Sequence, residues 1–172
     1  QDIAEEAGIN KALVHYYFRS KSQLSGAVFQ EAARHLLPRV FELLANDRPL
    51  EEKVEMIIQV YNRFLSKNPH LPGFVIHEIN YHPDRAKQFV QSIGTLDTEP
   101  LRQQIEQRAQ DGALRPITVE QFIVNLVALC VFPFVARPML EMLLGFEDNQ
   151  FDDFIEQREH DLPSFFLNAL QP

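Results

Sequence analysis

Cysteine and net positive charge are the two things this sequence has little of, and each shortage excludes a class of protein. The single cysteine, Cys130, excludes an internal disulfide and a multi-cysteine zinc site, and it is compatible with a reducing cytoplasm. The formal net charge of -8 argues against a chain covered with nucleic-acid-binding charge. Any contact with DNA must therefore be local.

Long apolar runs are also missing. The longest, Leu126 to Ala136, is interrupted by Pro133 and is too short for a bilayer, which takes about 20 residues. No signal peptide is visible, so we expect a cytoplasmic protein without a membrane partner. The 45% hydrophobic content, with 14 phenylalanines, is ample for a packed core.

The opening stretch, Gln1 to Leu24, has the pattern of two short helices joined by a tight turn. Asp2 to Ala7 predicts a first helix, and Gly8 can adopt the left-handed conformation that ends it. Asn10 is a good N-cap for a second helix over Lys11 to Phe18, which contains neither glycine nor proline. This spacing is typical of a DNA-binding helix-turn-helix.

Positive charge is concentrated in the same stretch. Lys11, Arg19 and Lys21 lie between residues 10 and 21, a span without an acidic residue. Residues 1–48 carry six acidic and six basic side chains, so the net charge of -8 comes entirely from the rest of the chain. A solvated basic helix in an unrelated bundle remains the alternative explanation.

The sequence IAEEAGINKALVHYYFRSKSQL closely resembles the helix-turn-helix of the TetR family of bacterial transcriptional regulators. The resemblance rests on the Ile-Ala-x-x-Ala-Gly-Ile core, the aromatic pair Tyr17-Phe18 and the closing Ser20-Lys21-x-x-Leu24. It implies a three-helix DNA-binding domain, one helix of which would precede residue 1. We therefore expect an N-terminal segment to be missing from this chain.

The same resemblance implies which side chains face DNA. Lys21 would reach a phosphate from the start of the next helix, and Tyr17 and Phe18 would fill the small core. Leu13 and His15 stand where the family more often has a small hydroxyl residue and an aromatic, so base preferences do not carry over. The residues expected on or beside the DNA-facing side of the recognition helix are Asn10, Lys11, Ala12, Leu13, His15 and Tyr16.

The remaining chain has a helical pattern throughout and predicts an all-α fold. Ser22 is a candidate N-cap for one long connecting helix that runs towards Leu44, because apolar residues recur there at four-residue spacing. We place a helix-turn-helix domain with this connecting helix at 1–45 and a helical ligand-binding and dimerisation domain at 46–172. From Val119 the sequence is apolar on nearly every side, which predicts burial against a second copy of the chain and hence a homodimer.

No constellation for catalysis, a cofactor or a metal stands out. A zinc-hydrolase helix needs histidines four residues apart, whereas His77 and His82 are five apart, about 140° around a helix. A di-iron bundle needs Glu-x-x-His pairs, and none of the six histidines has a glutamate three residues before it. We therefore predict a protein that is not an enzyme.

Polar residues within the apolar helices suggest a binding pocket instead. Each of them is more often an ordinary core or surface group, and phenylalanines at helical spacing usually form core. Together they occupy the central helices in which the resemblance implies an inducer pocket, here for a small lipophilic or aromatic effector. The candidate ligand-binding residues are Tyr61, Phe64, Phe74, His77, Tyr81, Phe89, Phe122, Asn125, Leu126, Leu129 and Cys130.

The sequence thus predicts a DNA-binding transcriptional regulator, a ligand-responsive repressor that binds double-stranded operator DNA as a homodimer. A helical binding or adaptor protein without DNA binding stays open as the alternative. Salt-dependent binding to DNA distinguishes the two.

Overall fold

The computed structural model describes residues 4, 6–8, 10–147 and 149–172, and every regular element in them is a helix. The helices are α1 (Lys11–Phe18), α2 (Lys21–Ala45), α3 (Leu50–Lys67), α4 (Leu71–Tyr81), α5 (Pro83–Ile93), α6 (Glu99–Gln110), α7 (Val119–Val135), α8 (Arg137–Leu144) and α9 (Gln150–Asn168). Some side chains inside these helices also lie outside the description: Lys11, Val14, Lys21, Ser22, Arg85, Phe89, Val90, Ser92 and Ile93. The predicted all-α fold is confirmed.

The predicted helix bounds agree closely with the structure. The expected long helix towards Leu44 is α2, which continues through Pro38, but its N-cap is Ser20 rather than the predicted Ser22. α4 begins at Leu71 and has Pro72 in its first turn, where a missing N–H costs nothing. Of the first predicted helix, Ala4 and Glu6 are helical and Gly8 has φ 64°; its other residues lie outside the described part.

The core is organised around α3, which packs against α2, α7 and α9. Its apolar residues recur every three or four positions, so they form a single stripe that is buried along its length. α6, α7 and α9 add their own buried stripes to this cluster. Each fully buried Leu, Ile or Phe contributes about 1.5–3 kcal/mol relative to an exposed one. The stripe of α3 consists of Leu50, Val54, Ile57, Ile58, Tyr61 and Leu65.

Polar links fix the far end of α2 against the core. The ammonium of Lys53, buried in α3, donates to the carbonyl of Leu44 at 3.1 Å. This carbonyl lies in the last turn of α2 and would otherwise lack a helical partner. Burial lowers the pKa of Lys53, and the nearby charge of Asp47 acts in the opposite direction. The end of the connecting helix is therefore both buried and hydrogen-bonded.

A second link joins α6 to α3. Arg108 donates through both terminal nitrogens to the carboxylate of Glu51. This hydrogen bond to Arg108 lowers the pKa of Glu51. The bidentate geometry fixes the relative position of the two helices, since a guanidinium and a carboxylate align along two parallel bonds.

No single helix in the described ranges is long and apolar enough to cross a membrane. By length and composition alone, α7 and α8 together would be, but they meet at a 73° bend. α7 is mostly a core helix, with Phe122, Leu126 and Cys130 each 1% exposed or less.

Candidate DNA interface and effector cavity

The short helix α1 is fixed at both ends by local hydrogen bonds. At its start, the side-chain oxygen of Asn10 accepts from the backbone N–H of Ala12 at 2.8 Å, as an N-cap does. At its end, Arg19 has φ 53°, and its N–H donates to the carbonyl of His15 at 2.9 Å. Ser20 then caps α2 by accepting from the N–H of Gln23 at 3.1 Å. The predicted N-cap at Asn10 is present.

Large side chains on α1 point into solvent. Leu13 is 50% exposed, Tyr16 77% and Tyr17 72%, and the two tyrosine rings meet edge to face with centroids 5.3 Å apart. Ala12 and His15 are exposed as well. Exposed apolar and aromatic side chains of this kind, grouped on one short helix, are typical of an interaction surface.

Tyr17 corrects one expectation. It was predicted to fill the small core with Phe18, but Phe18 alone is partly buried and Tyr17 is exposed. Tyr17 lies one turn after Leu13 and beside Tyr16, so it belongs to the outward stripe of α1.

The predicted DNA-facing residues thus fall into two groups. Ala12, Leu13, His15 and Tyr16 are exposed on α1, and Asn10 is exposed but uses its side-chain oxygen for the cap. The side chains of Lys11 and Lys21 lie outside the described part of the structure. Arg19 supplies a further exposed cation at the end of α1.

An apolar cavity of about 280 Å³ lies between the connecting helix α2 and helices α3, α4, α5 and α7. Its walls are aliphatic and aromatic, and Tyr61 carries the one hydroxyl among them. Burial raises the pKa of Tyr61, so this hydroxyl stays protonated. The lining residues are Phe29, Ala32, Ala33, Leu36, Leu37, Tyr61, Phe64, Leu65, Leu71, Pro72, Val75, Ile76, Ile79, Ala86 and Val131.

Two of the eleven predicted ligand-binding residues, Tyr61 and Phe64, line this cavity. Three others, Phe122, Leu126 and Cys130, are buried in the core away from it. The ring of Phe122 packs edge to face on Phe166 at 5.2 Å, and burial raises the pKa of the Cys130 thiol to about 12. None of these three positions lines the cavity.

The other predicted positions are scattered. The rings of His77 and Tyr81 stack at 4.4 Å on the exposed side of α4, and Asn125 is exposed on α7. Phe74 and Leu129 are partly buried and do not line the cavity, while the side chain of Phe89 lies outside the described part.

Sequence reasoning missed the contribution of the connecting helix to the cavity. Phe29, Leu36 and Leu37 lie on one face of α2 and form a whole wall. The signal was available, since Phe29, Ala32, Ala33, Leu36 and Leu37 follow the spacing of a wide apolar stripe.

No group of three or more His, Cys, Asp or Glu side chains in the described residues could hold a metal ion.

Comparisons with known proteins agree with a helix-turn-helix at the start of an all-helical chain. The family model of bacterial regulatory proteins, tetR family, matches residues 1–28. A solved transcriptional regulator of the TetR/AcrR family from Thermobifida fusca YX-ER1 has the same fold, with a TM-score of 0.59 over 99% of this chain and 86% of that one at 18% identity. These findings support a TetR-family regulator, as the resemblance of its first residues predicted.

Curated relatives agree with this assignment. The nucleoid occlusion factor SlmA of Vibrio vulnificus (strain YJ016) is 20% identical over 117 residues, which are 67% of this chain and 60% of that protein. SlmA of Pasteurella multocida (strain Pm70) is 30% identical over 69 residues, which are 40% of this chain and 35% of that protein. The chain thus spans less than two thirds of the length of these relatives.

Proposed function

We propose that this chain is a ligand-responsive transcriptional repressor that binds two-fold operator DNA as a homodimer. The observation that carries the proposal is the position of the apolar cavity, which is walled by the same helix α2 that follows the DNA-facing α1. A molecule in the cavity touches α2 directly, so it can favour one position of that helix over another.

The proposed mechanism is a population shift. An effector changes operator affinity only if it binds one arrangement of α2 more tightly than the other. Typical coupling free energies are about 1–3 kcal/mol, which correspond to changes in affinity of roughly 5- to 150-fold. In a dimer, the movement would alter the separation of the two recognition helices, which must match half-sites about 34 Å apart. In this proposal residues 1–45 form the DNA-binding domain with the connecting helix, and residues 46–172 form the ligand-binding and dimerisation domain.

The homodimer is supported by apolar surface on α7 and α9. Val124 and Phe132 on α7 and Phe165 on α9 are all more than half exposed, although both helices have their other faces in the core. Phe165→Glu should therefore convert a dimer to a monomer in light scattering at micromolar concentration. Leu126→Glu on α7 would instead disrupt the protomer core, because Leu126 is 1% exposed. If the wild-type protein is a monomer in the same light-scattering measurement, the proposed homodimer is wrong.

The DNA-binding proposal is tested with operator fragments selected from random DNA by the full-length protein. Lys21→Ala should weaken binding to all sequences alike and reduce the slope of log K against log salt by about 1. Leu13→Ala should instead change which sequence is preferred, since it removes a side chain placed for base edges. Lys87→Ala, an exposed lysine on α5, is the matched control.

Two outcomes separate the alternatives. An unchanged salt slope in Lys21→Ala would remove this lysine from the phosphate contacts. Absence of any salt-dependent DNA binding would favour the helical adaptor protein instead. A role like that named for the SlmA relatives would also use DNA binding, but the apolar cavity beside α2 favours the ligand-responsive repressor.

A further inference from the structure

A cationic groove of about 300 Å³ lies between α2 and α3. It is next to the apolar cavity, and Leu36 and Phe64 line both spaces. Its rim carries His35, Arg39, Arg63 and Lys67, and its lining contains no acidic residue. Its floor is apolar and consists of Leu36, Met56, Val60 and Phe64. Arg39, Arg63 and Lys67 thus place three cations over an apolar floor in a protein of net charge -8.

Two of these cations are not compensated. Arg39 and Lys67 form no ion pair with any residue that the structure describes. Arg63 pairs with Glu159 at 3.5 Å, but its side chain is 69% exposed, so that pair holds it weakly. His35 lies 3.5 Å from Glu31 and is also exposed. The groove thus keeps free positive charge for an anion.

The groove and the cavity share walls. Leu36 and Phe64 line both of them, so the two spaces are adjacent and these two side chains lie between them. The cavity lining carries no charged residue, and its 280 Å³ has room for roughly nine groups of water size at about 30 Å³ each. One extended molecule with an apolar chain and a charged end can occupy both spaces.

Two other polar sites border the cavity, and neither fits a charged end group as well. Glu31 lines a third groove, close to Phe18 at the end of α1, but His35 stands within 3.5 Å of its carboxylate. Buried Glu78 lines a space of about 40 Å³ next to Phe29 and Ala86, which has room for roughly one group of water size. The cationic groove is therefore the site with both volume and uncompensated charge.

We propose that the effector is a medium-chain amphiphilic carboxylate whose alkyl chain fills the apolar cavity and whose carboxylate binds Arg39 and Lys67 in the cationic groove. The inference rests on the proposed function, since it takes the cavity as an effector site. Arginine suits this role because its guanidinium can bind a carboxylate through two parallel hydrogen bonds.

The test compares three probes with the same ten-carbon chain, namely decanoate, 1-decanol and decylamine, by isothermal titration calorimetry on the full-length protein. Decanoate should bind about tenfold more tightly than decanol, which corresponds to one charge-assisted contact. The double variant Arg39→Gln/Lys67→Gln should lose that preference and keep its affinity for decanol. Arg48→Gln/Lys87→Gln, with two exposed cations outside the groove, is the matched control.

The outcomes distinguish this inference from the proposed function. Equal binding of decanoate and decanol, or tighter binding of decylamine, would overturn the carboxylate but leave the cavity as an effector site. A decanoate preference that survives in the double variant would overturn the assignment to Arg39 and Lys67. Failure of all three probes to bind would overturn the inference together with the effector site. Both variants alter exposed side chains, and thermal unfolding verifies that they fold.

Discussion

Helices α1 and α3 carry apolar residues at the same helical spacing, yet they use them in opposite ways. On α1, Leu13, Tyr16 and Tyr17 are at least half exposed, whereas on α3, Leu50, Val54 and Ile58 are completely buried. The difference arises from the neighbours. α3 lies between α2, α7 and α9, while α1 contacts mainly the start of α2. Apolar spacing therefore predicts a helix, and only packing decides whether the stripe is core or contact surface.

The connecting helix α2 shows both behaviours along its length. Near its start Val28 is 46% exposed, while Val40, Leu43 and Leu44 near its end belong to the core. Between them, Leu36 and Leu37 line the apolar cavity. The helix thus passes from the exposed region to the packed one, with the cavity at the transition.

The largest effect is expected from Phe122→Ala in the packed region. Phe122 is completely buried against Phe166, so its removal should lower the free energy of unfolding by about 3–5 kcal/mol in urea denaturation. Tyr16→Ala is the control from α1 and should change stability by no more than about 0.5 kcal/mol, since its ring is in solvent. Equal losses of unfolding free energy in the two variants would contradict the difference between the exposed α1 and the packed core.

A smaller effect is expected from Lys53→Met, at the packed end of α2. The change keeps the buried stem but leaves the carbonyl of Leu44 without its donor, which should cost about 1–3 kcal/mol in the same assay. Lys67→Met is the control, because Lys67 is exposed at the end of α3. A more stable variant would mean that the cost of burying the ammonium exceeds the value of its hydrogen bond.

The smallest effect is expected from Asn10→Ala, which removes the N-cap of α1. The loss should be about 1 kcal/mol and local, so hydrogen exchange of α1 amides should accelerate about fivefold while α3 is unchanged. Asn149→Ala is a matched control, because Asn149 holds the N-cap position of α9 without a side-chain cap bond. Faster exchange throughout α3 would show that α1 and the core unfold together.

The sequence was sufficient for the helices, because caps, glycine and periodicity are local signals. The predicted N-cap at Asn10 is formed, whereas the N-cap of α2 is Ser20 and not Ser22. The cavity was not accessible in the same way, because it depends on which helices pack together. Phe122 and Phe29 are both phenylalanines in apolar stripes, yet one is core and the other is a cavity wall. Tyr17 was misplaced for the same reason, since no local signal shows which side of α1 lacks a neighbour.

The unbroken length of α2 has a mechanical consequence. Its 25 residues span roughly 37 Å at 1.5 Å per residue, and its far end is anchored in the core through Lys53. With that end as a pivot, each degree of tilt displaces the opposite end by roughly 0.6 Å. If a ligand moved α2 by a fraction of an ångström near Leu36, the displacement at the start of α2, next to α1, would be larger than the displacement at the cavity.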